Sequence, residues 1–365
     1  MRIAIVGLPQ SGKTTVFNAL TRGGAPVGEY AARPETNIGV AHVPDSRVDR
    51  LTEIYEPKKT IFAEVTYVDL PGPPAGAQDN SGMFSGSALT DLQQADALLH
   101  VVRGFEDDSV IHTKGSIDWK RDASDVAFDI LFADIALIDR RIERLGETKG
   151  LKTADRDEQL RQIEDLKAVQ ATLEAGTPIR EQTFNDAQVR SIQDIFLVSS
   201  LPYLVALNIG EDDVPNTEAL EAELSTVVTG QGTGSAAIAG SLEMELAQME
   251  PEEETEFRQS LDAGEPGLHK MLRLSYEALN LMSFLTVGED EVRAWTIPNG
   301  TPAAKAAGAV HSDIERGFIR AEIVSYDDLV ELGSTSEARK AAKLRSEGRE
   351  YVMQNGDVVN FLFSV

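Results

Sequence analysis

The chain has 365 residues, 34 of them Lys or Arg and 60 Asp or Glu, for a formal charge of −26, and 42% of it is hydrophobic. That much apolar side chain fills roughly two or three ordinary domain cores and excludes a fibrous or wholly disordered chain. The acidic excess excludes a general electrostatic nucleic-acid binder and argues against specific DNA contact, leaving any RNA contact to a local patch.

No cysteine is present, which excludes disulfides, zinc thiolates and thiol catalysis and fits a reducing cytoplasm. The longest apolar stretch, Ile195 to Ile209, is broken by Ser199, Ser200 and Pro202, so no membrane anchor is expected. Met1 to Val6 runs straight into a glycine turn, so no secretory leader is expected either.

In chain order, the first element is Arg2 to Val6, short and almost wholly apolar, the pattern of a central parallel strand. Gly7-Leu8-Pro9-Gln10-Ser11-Gly12-Lys13-Thr14 follows and satisfies G-x-x-x-x-G-K-[ST]; Val16, Phe17 and Leu20 then continue at helical spacing. Glycines let backbone amides curl around phosphate oxygens, and the following helix N-terminus adds partial positive charge. Lys13 is placed to reach the β- and γ-phosphates, and the Thr14 hydroxyl to hold Mg²⁺. Kinases, motor ATPases and signalling NTPases all share this loop.

Glu64 to Asp69 alternates like a strand and ends in Asp69-Leu70-Pro71-Gly72, a D-x-x-G arrangement. Asp69 would bind the metal through water, and the Gly72 amide would sense the γ-phosphate. Two more strands, Ala97 to Val102 and Tyr203 to Leu207, continue the parallel pattern. The second ends in Asn208-Ile209-Gly210-Glu211, where G-proteins carry N-K-x-D. Glu211 is one methylene longer than Asp and the Lys is replaced by Ile209, which weakens guanine selection; Asn208 is expected to pair with a purine edge. The charge run Glu211 to Asp213 also reads as an acidic surface loop.

Gly7 to Thr15, Asp69 to Gly72 and Asn208 to Glu211, in this order, resemble the YchF or Obg-like ATPase family, a branch of the translation-factor GTPases that prefers ATP. Arg293 to Ile297, Gly300-Thr301, Ala306 to His311, Glu315 to Glu322 and Gly356 to Val358 look like that family's TGS domain, and Val43 to Arg47 and Pro57 to Lys59 are similar to further family motifs. The resemblance covers nearly the whole chain. It implies an α/β fold: a P-loop NTPase G domain with an inserted helical coiled-coil hairpin and a C-terminal β-grasp (TGS) domain. It also implies ATP as ligand, GTP as the alternative, and a ribosome or ribosome-associated factor as partner.

Three departures bear on hydrolysis. Gln10 stands where the family usually has Asn, a residue that in related NTPases helps bind a monovalent cation, so potassium dependence stays open. Switch I reads Ala31-Ala32-Arg33-Pro34-Glu35-Thr36-Asn37, which leaves Thr36, in displaced register, as the metal-binding hydroxyl. After Gly72 come Pro73 to Ala77 with no lysine, and Pro73 cannot orient water. The expected nucleotide contacts are therefore Gly7, Gln10, Ser11, Gly12, Lys13, Thr14, Thr15, Asn208, Ile209 and Glu211, the metal ligands Thr14, Thr36 and Asp69, and the catalytic groups Lys13 and Gly72. Slow hydrolysis follows, with a nucleotide-gated scaffold of negligible turnover as the alternative.

The G domain is placed at residues 1–120 and 197–280, the hairpin at 121–196 and the β-grasp domain at 281–365. Phe128, Leu131, Ile135, Ile138, Ile142 and Leu145 form a heptad seam, answered by Leu160, Ile163, Leu166 and Leu173. Ser241 to Glu256 reads as a solvated acidic face, and Leu268 to Leu285 as a periodic apolar return to the core. Near the end, Tyr351 to Gln354 and Val358 to Phe363 flank Asn355-Gly356, a hairpin signal. Arg316, Arg320, Lys340, Lys343, Arg345 and Arg349 are a weak cationic patch.

Overall fold

The computed structural model describes residues 1–25, 36–71, 83–84, 86–108, 110, 112–147, 153–261 and 263–364. Their strands are β1 Arg2–Val6, β2 Asn37–His42, β3 Lys59–Ile61, β4 Glu64–Asp69, β5 Ala97–Arg103, β6 Tyr203–Asn208, β7 Thr233–Ile238, β8 Leu281–Val287, β9 Glu291–Pro298, β10 Phe318–Ser325, β11 Arg345–Glu347 and β12 Asp357–Phe363. Two compact units result: Met1–Ala41 with Thr66–Ala278, and His42–Val65 with Leu279–Val365.

The first unit is built on a sheet in the order β2-β4-β1-β5-β6-β7. From β4 to β7 all neighbours pair in parallel. Every residue of β5 and β6 is buried, so both faces of the sheet are covered, which is why these strands read as unbroken apolar runs. Because the strands are parallel, the last residues of β1, β4 and β6, which are Val6, Asp69 and Asn208, lie at one end of the sheet.

The insertion consists of the helices Trp119–Gly146 and Thr153–Glu174. Leu131 and Ile138 of the first meet Leu166, Val169 and Leu173 of the second in one buried cluster. The expected seam fails at both ends: Phe128 is 55% exposed at the base of the first helix, and Leu160, beside the connection at the start of the second, is 52% exposed. Val126 and Ile130, one helical turn apart, are buried in the core cluster beneath the sheet and turn Phe128 to the opposite side. On that first helix, fully buried Asp134 accepts hydrogen bonds from the Val198 amide at 2.6 Å and the Ser199 amide at 2.8 Å. Burial lifts its pKa to about 6, against the pull of those donors. Asp134→Ala orphans two buried N–H groups and is expected to cost about 2–4 kcal/mol in urea unfolding at pH 7.

The second unit holds a sheet in the order β11-β10-β12-β8-β9-β3. Its core includes Phe284, Ala303, Ala307, Phe318, Ile323 and Phe361. Placing all of residues 1–120 in the nucleotide domain is corrected here, because 42–65 belong to this unit. Strand β3 pairs in parallel with β9, and Val48 and Leu51, from the helix Ser46–Tyr55, are fully buried against Leu285, Val292 and Val324. The apolar return also divides: it is helical over Gly267–Ala278, and Leu281 onward is β8.

The Asn355-Gly356 hairpin does not form. Both edges of β12 are taken, by β10 antiparallel and β8 parallel, and Tyr351 to Gln354 contribute one isolated bridge, Pro302 to Val352. The turn is closed instead by the Asp357 carboxylate, which accepts from the Gln354 amide at 2.9 Å and the Tyr351 hydroxyl at 3.0 Å.

Candidate nucleotide site

Between β1 and the helix Lys13–Thr21 the backbone turns through Gly7 at φ 151°, Gln10 at φ 62° and Gly12 at φ 88°. Side chains are barred at both glycines. A Cβ on Gly7 would stand 2.4 Å from the Val101 carbonyl oxygen, and one on Gly12 would stand 2.1 Å from Asn208 Nδ2. No side chain caps the helix that starts at Lys13, so its first amides stay available to an anion. Ser11 and Thr15 are buried beside it, and the Ser11 hydroxyl has no partner.

The Lys13 side chain folds back over the loop, its Nζ donating to the Gly7 carbonyl at 3.0 Å and the Leu8 carbonyl at 2.9 Å. An ammonium has three donors, so one remains for a phosphate oxygen. Burial lowers its pKa to about 8, with Asp69 pulling the other way. A polyphosphate would restore the charged form, so triphosphate binding is expected to take up about half a proton at pH 8 and under about a tenth at pH 7. Calorimetry in two buffers of different ionisation enthalpy reads this directly; equal heats at pH 8 would contradict it.

At the end of β4, Asp69 Oδ2 accepts from the Thr14 hydroxyl at 2.7 Å and from Asn37 Nδ2 at 3.3 Å, while buried Oδ1 has no partner. A hydroxyl and a carboxylate with an unspent oxygen are a donor set for a hard cation such as Mg²⁺. Thr36 is half-buried, and among the described residues no contact brings it to Thr14 or Asp69; its neighbour Asn37 arrives instead, at the start of β2. Gly72 and Pro73 lie outside the described residues.

Asn208 braces the site from the third side. Its Nδ2 donates to the Ser11 carbonyl at 3.1 Å and its Oδ1 accepts the Gly240 amide at 3.0 Å. Asn208 thus holds the phosphate loop to the turn after β7, a bracing duty added to the expected purine contact, for which its second Nδ2–H remains as donor. Ile209 is likewise core, with its side chain buried and its amide donating to the Ile238 carbonyl at 2.9 Å. Glu211 is exposed at the start of a short turn.

Two neighbours were not singled out in the sequence. Phe105, half-exposed just beyond β5, lies 3.7 Å from where a Gly12 Cβ would be and 3.8 Å from where a Gly210 Cβ would be, and the Arg103 guanidinium stacks 4.6 Å over its ring. His100 is buried beneath Gly7 with Nδ1 2.6 Å from the Tyr203 hydroxyl, and burial together with the Lys13 charge lowers its pKa to about 3.

Comparison with known proteins decides the family. A protein of Bacillus subtilis (strain 168) named ribosome-binding ATPase YchF is 37% identical over 364 residues, covering 99% of this chain and 98% of that protein. The chain belongs to the YchF family. The YchF protein of Haemophilus ducreyi (strain 35000HP / ATCC 700724), under the same name, is 35% identical over 365 residues, 100% of this chain and 99% of that protein. The structure of the Schizosaccharomyces pombe YchF GTPase matches with a TM-score of 0.82 at 29% identity, covering 99% of this chain and 97% of that one. A family model described as a 50S ribosome-binding GTPase matches residues 2–132, and the YchF GTPase C-terminal model, described as a protein of unknown function, matches 281–364. The chain is thus a P-loop nucleoside triphosphatase of the YchF type. Among the described residues no helix is long and apolar enough to cross a membrane.

Proposed function

We propose that this chain is an ATP-binding regulatory NTPase with slow hydrolysis, whose nucleotide state governs its binding to the ribosome. The observation that carries the nucleotide reading is one end of one sheet: amides of a left-handed loop, a braced lysine and a Thr14–Asp69 oxygen pair with a spare acceptor. Thr14 and Asp69 would hold Mg²⁺, which when bound neutralises charge on the β- and γ-phosphates. Lys13 lends its third donor to a phosphate oxygen, and the Lys13–Thr21 helix start faces the same charge.

Base choice rests on what replaces N-K-x-D. Ile209 is buried in the core and offers no amine, and Glu211 carries its carboxylate one methylene further out than Asp. The half-exposed ring of Phe105 supplies a face against which a purine stacks, and stacking does not discriminate between bases. A guanine without its usual acceptor loses the contacts that favour it, so ATP is preferred.

The ribosome enters through the relatives, whose names call them ribosome-binding. Charge does not supply it. In the C-terminal cationic patch Arg316 is held by Asp313, Lys340 by Glu337 at 2.6 Å, Lys343 by Asp328 at 2.9 Å and Arg345 by Glu347 and Asp357, each at 3.5 Å.

Calorimetric titration of ATP and of GTP with Mg²⁺, then turnover with and without ribosomes in sodium and in potassium, tests each part. ATP is expected to bind more tightly than GTP, and Phe105→Ala to weaken ATP about tenfold. Equal affinities would end the base reading, and turnover or ribosome binding indifferent to the nucleotide would end the regulatory one.

A further inference from the structure

At the opposite end of the first unit's sheet, where β6 and β7 begin, lies a cavity of about 290 Å³. Its walls are Ala127, Ile130 and Leu131 of the helix Trp119–Gly146, Val205 of β6, and Val228. None of its lining residues belongs to the phosphate loop, and Val205 lies three residues along β6 from Asn208, about 10 Å of strand. It is therefore a separate site, and its size stands at the low end of the about 300–1,000 Å³ typical of small-molecule pockets.

Arg180 and Glu181, adjacent in sequence and opposite in charge, both line it. Arg180, 15% exposed, stacks 5.5 Å over the Tyr203 ring and donates from one terminal nitrogen to the Ser199 carbonyl at a long 3.4 Å. The other terminal nitrogen forms an ion pair with the Glu181 carboxylate at 3.8 Å, too long for a hydrogen bond, and the buried Nε has no hydrogen-bond partner. Buried guanidinium groups are ordinarily matched by a carboxylate or phosphate in fork geometry, and this one lacks such a match. Burial accordingly lowers its pKa. Phe128, 55% exposed, stands at the rim with Ser124.

We infer that this cavity is a second ligand site, taking a small organic anion whose carboxylate or phosphate group docks on Arg180 and whose aromatic or branched body fills the apolar walls. The inference does not depend on the nucleotide reading.

Ligand-observed saturation-transfer NMR with benzoate, phenyl phosphate and benzyl alcohol tests it on the full chain. At least one anion is expected to bind at millimolar concentration or below, at least fivefold more tightly than the neutral alcohol, and the two anions decide between carboxylate and phosphate. Arg180→Leu is expected to weaken that anion at least fivefold. Ala127→Phe, which fills the cavity from its half-exposed wall and leaves the charge in place, does the same and decides alone if Arg180→Leu does not fold. No binding of either anion at 10 mM (about the weakest affinity of use to a cell), equal binding of the alcohol, or anion binding that survives Ala127→Phe and so resides at the phosphate loop, each overturns the site.

Discussion

Gly12→Ala is expected to lower nucleotide affinity at least about a hundredfold and to cost about 3–5 kcal/mol of stability. Two independent penalties add. The backbone at φ 88° disfavours any side chain, and the new Cβ would fall 2.1 Å from Asn208 Nδ2. Relieving that clash breaks the bonds from Asn208 to the Ser11 carbonyl and the Gly240 amide, both buried, so the loop loses its brace together with its shape. Gly210→Ala is the control, because its φ is −77° and the nearest atom to its Cβ is Phe105 Cβ at 3.8 Å. It is expected to stay within about 0.5 kcal/mol of the parent in urea unfolding. An alanine at position 12 that binds ATP normally would show that the loop opens without Asn208, contrary to the bracing argument.

The second large effect concerns where the chain can be cut. Residues 279–365 expressed alone are expected to be largely unfolded by circular dichroism and proteolysis, although a family model spans 281–364. They lack Val48 and Leu51, each fully buried in the unit's second core cluster, and they lack β3, which covers one edge of β9. Removing two buried aliphatic residues forfeits about 4–6 kcal/mol, comparable with the whole stability of a small domain. Joining 42–65 to 279–365 through a flexible linker is expected to restore the fold. A well-folded 279–365 fragment would mean that the helix Ser46–Tyr55 is dispensable.

How much of this was legible beforehand depends on how local each signal is. The phosphate loop was readable because its glycines, lysine and threonine sit within eight consecutive residues between a strand and a helix. Strands β5 and β6 were readable because burial on both faces leaves an unbroken apolar run. β7, Thr-Gly-Ser-Ala-Ala-Ile, was missed: its four central residues are small and suit close packing, with a Gly234 Cβ only 3.0 Å from Leu204, but they carry neither alternation nor β-branched bulk. Missing β7 concealed the Gly240 turn, and with it the acceptor duty of the Asn208 carbonyl. Asn37 and Phe105 eluded motif reading because each acts through a contact distant in sequence. Asn355-Gly356 misled for the opposite reason, since a strong local turn signal was overruled when β8 and β10 occupied both sides of β12.

The path of residues 37–69 serves both units. β2 leaves the site at Asn37 and β4 comes back to it at Asp69, and those two side chains touch at 3.3 Å. Everything from His42 to Val65 is built into the other unit. One excursion of the chain thus has two duties: its middle gives Val48 and Leu51 to the core of one unit, and its two ends supply the Asn37–Asp69 pair of the other.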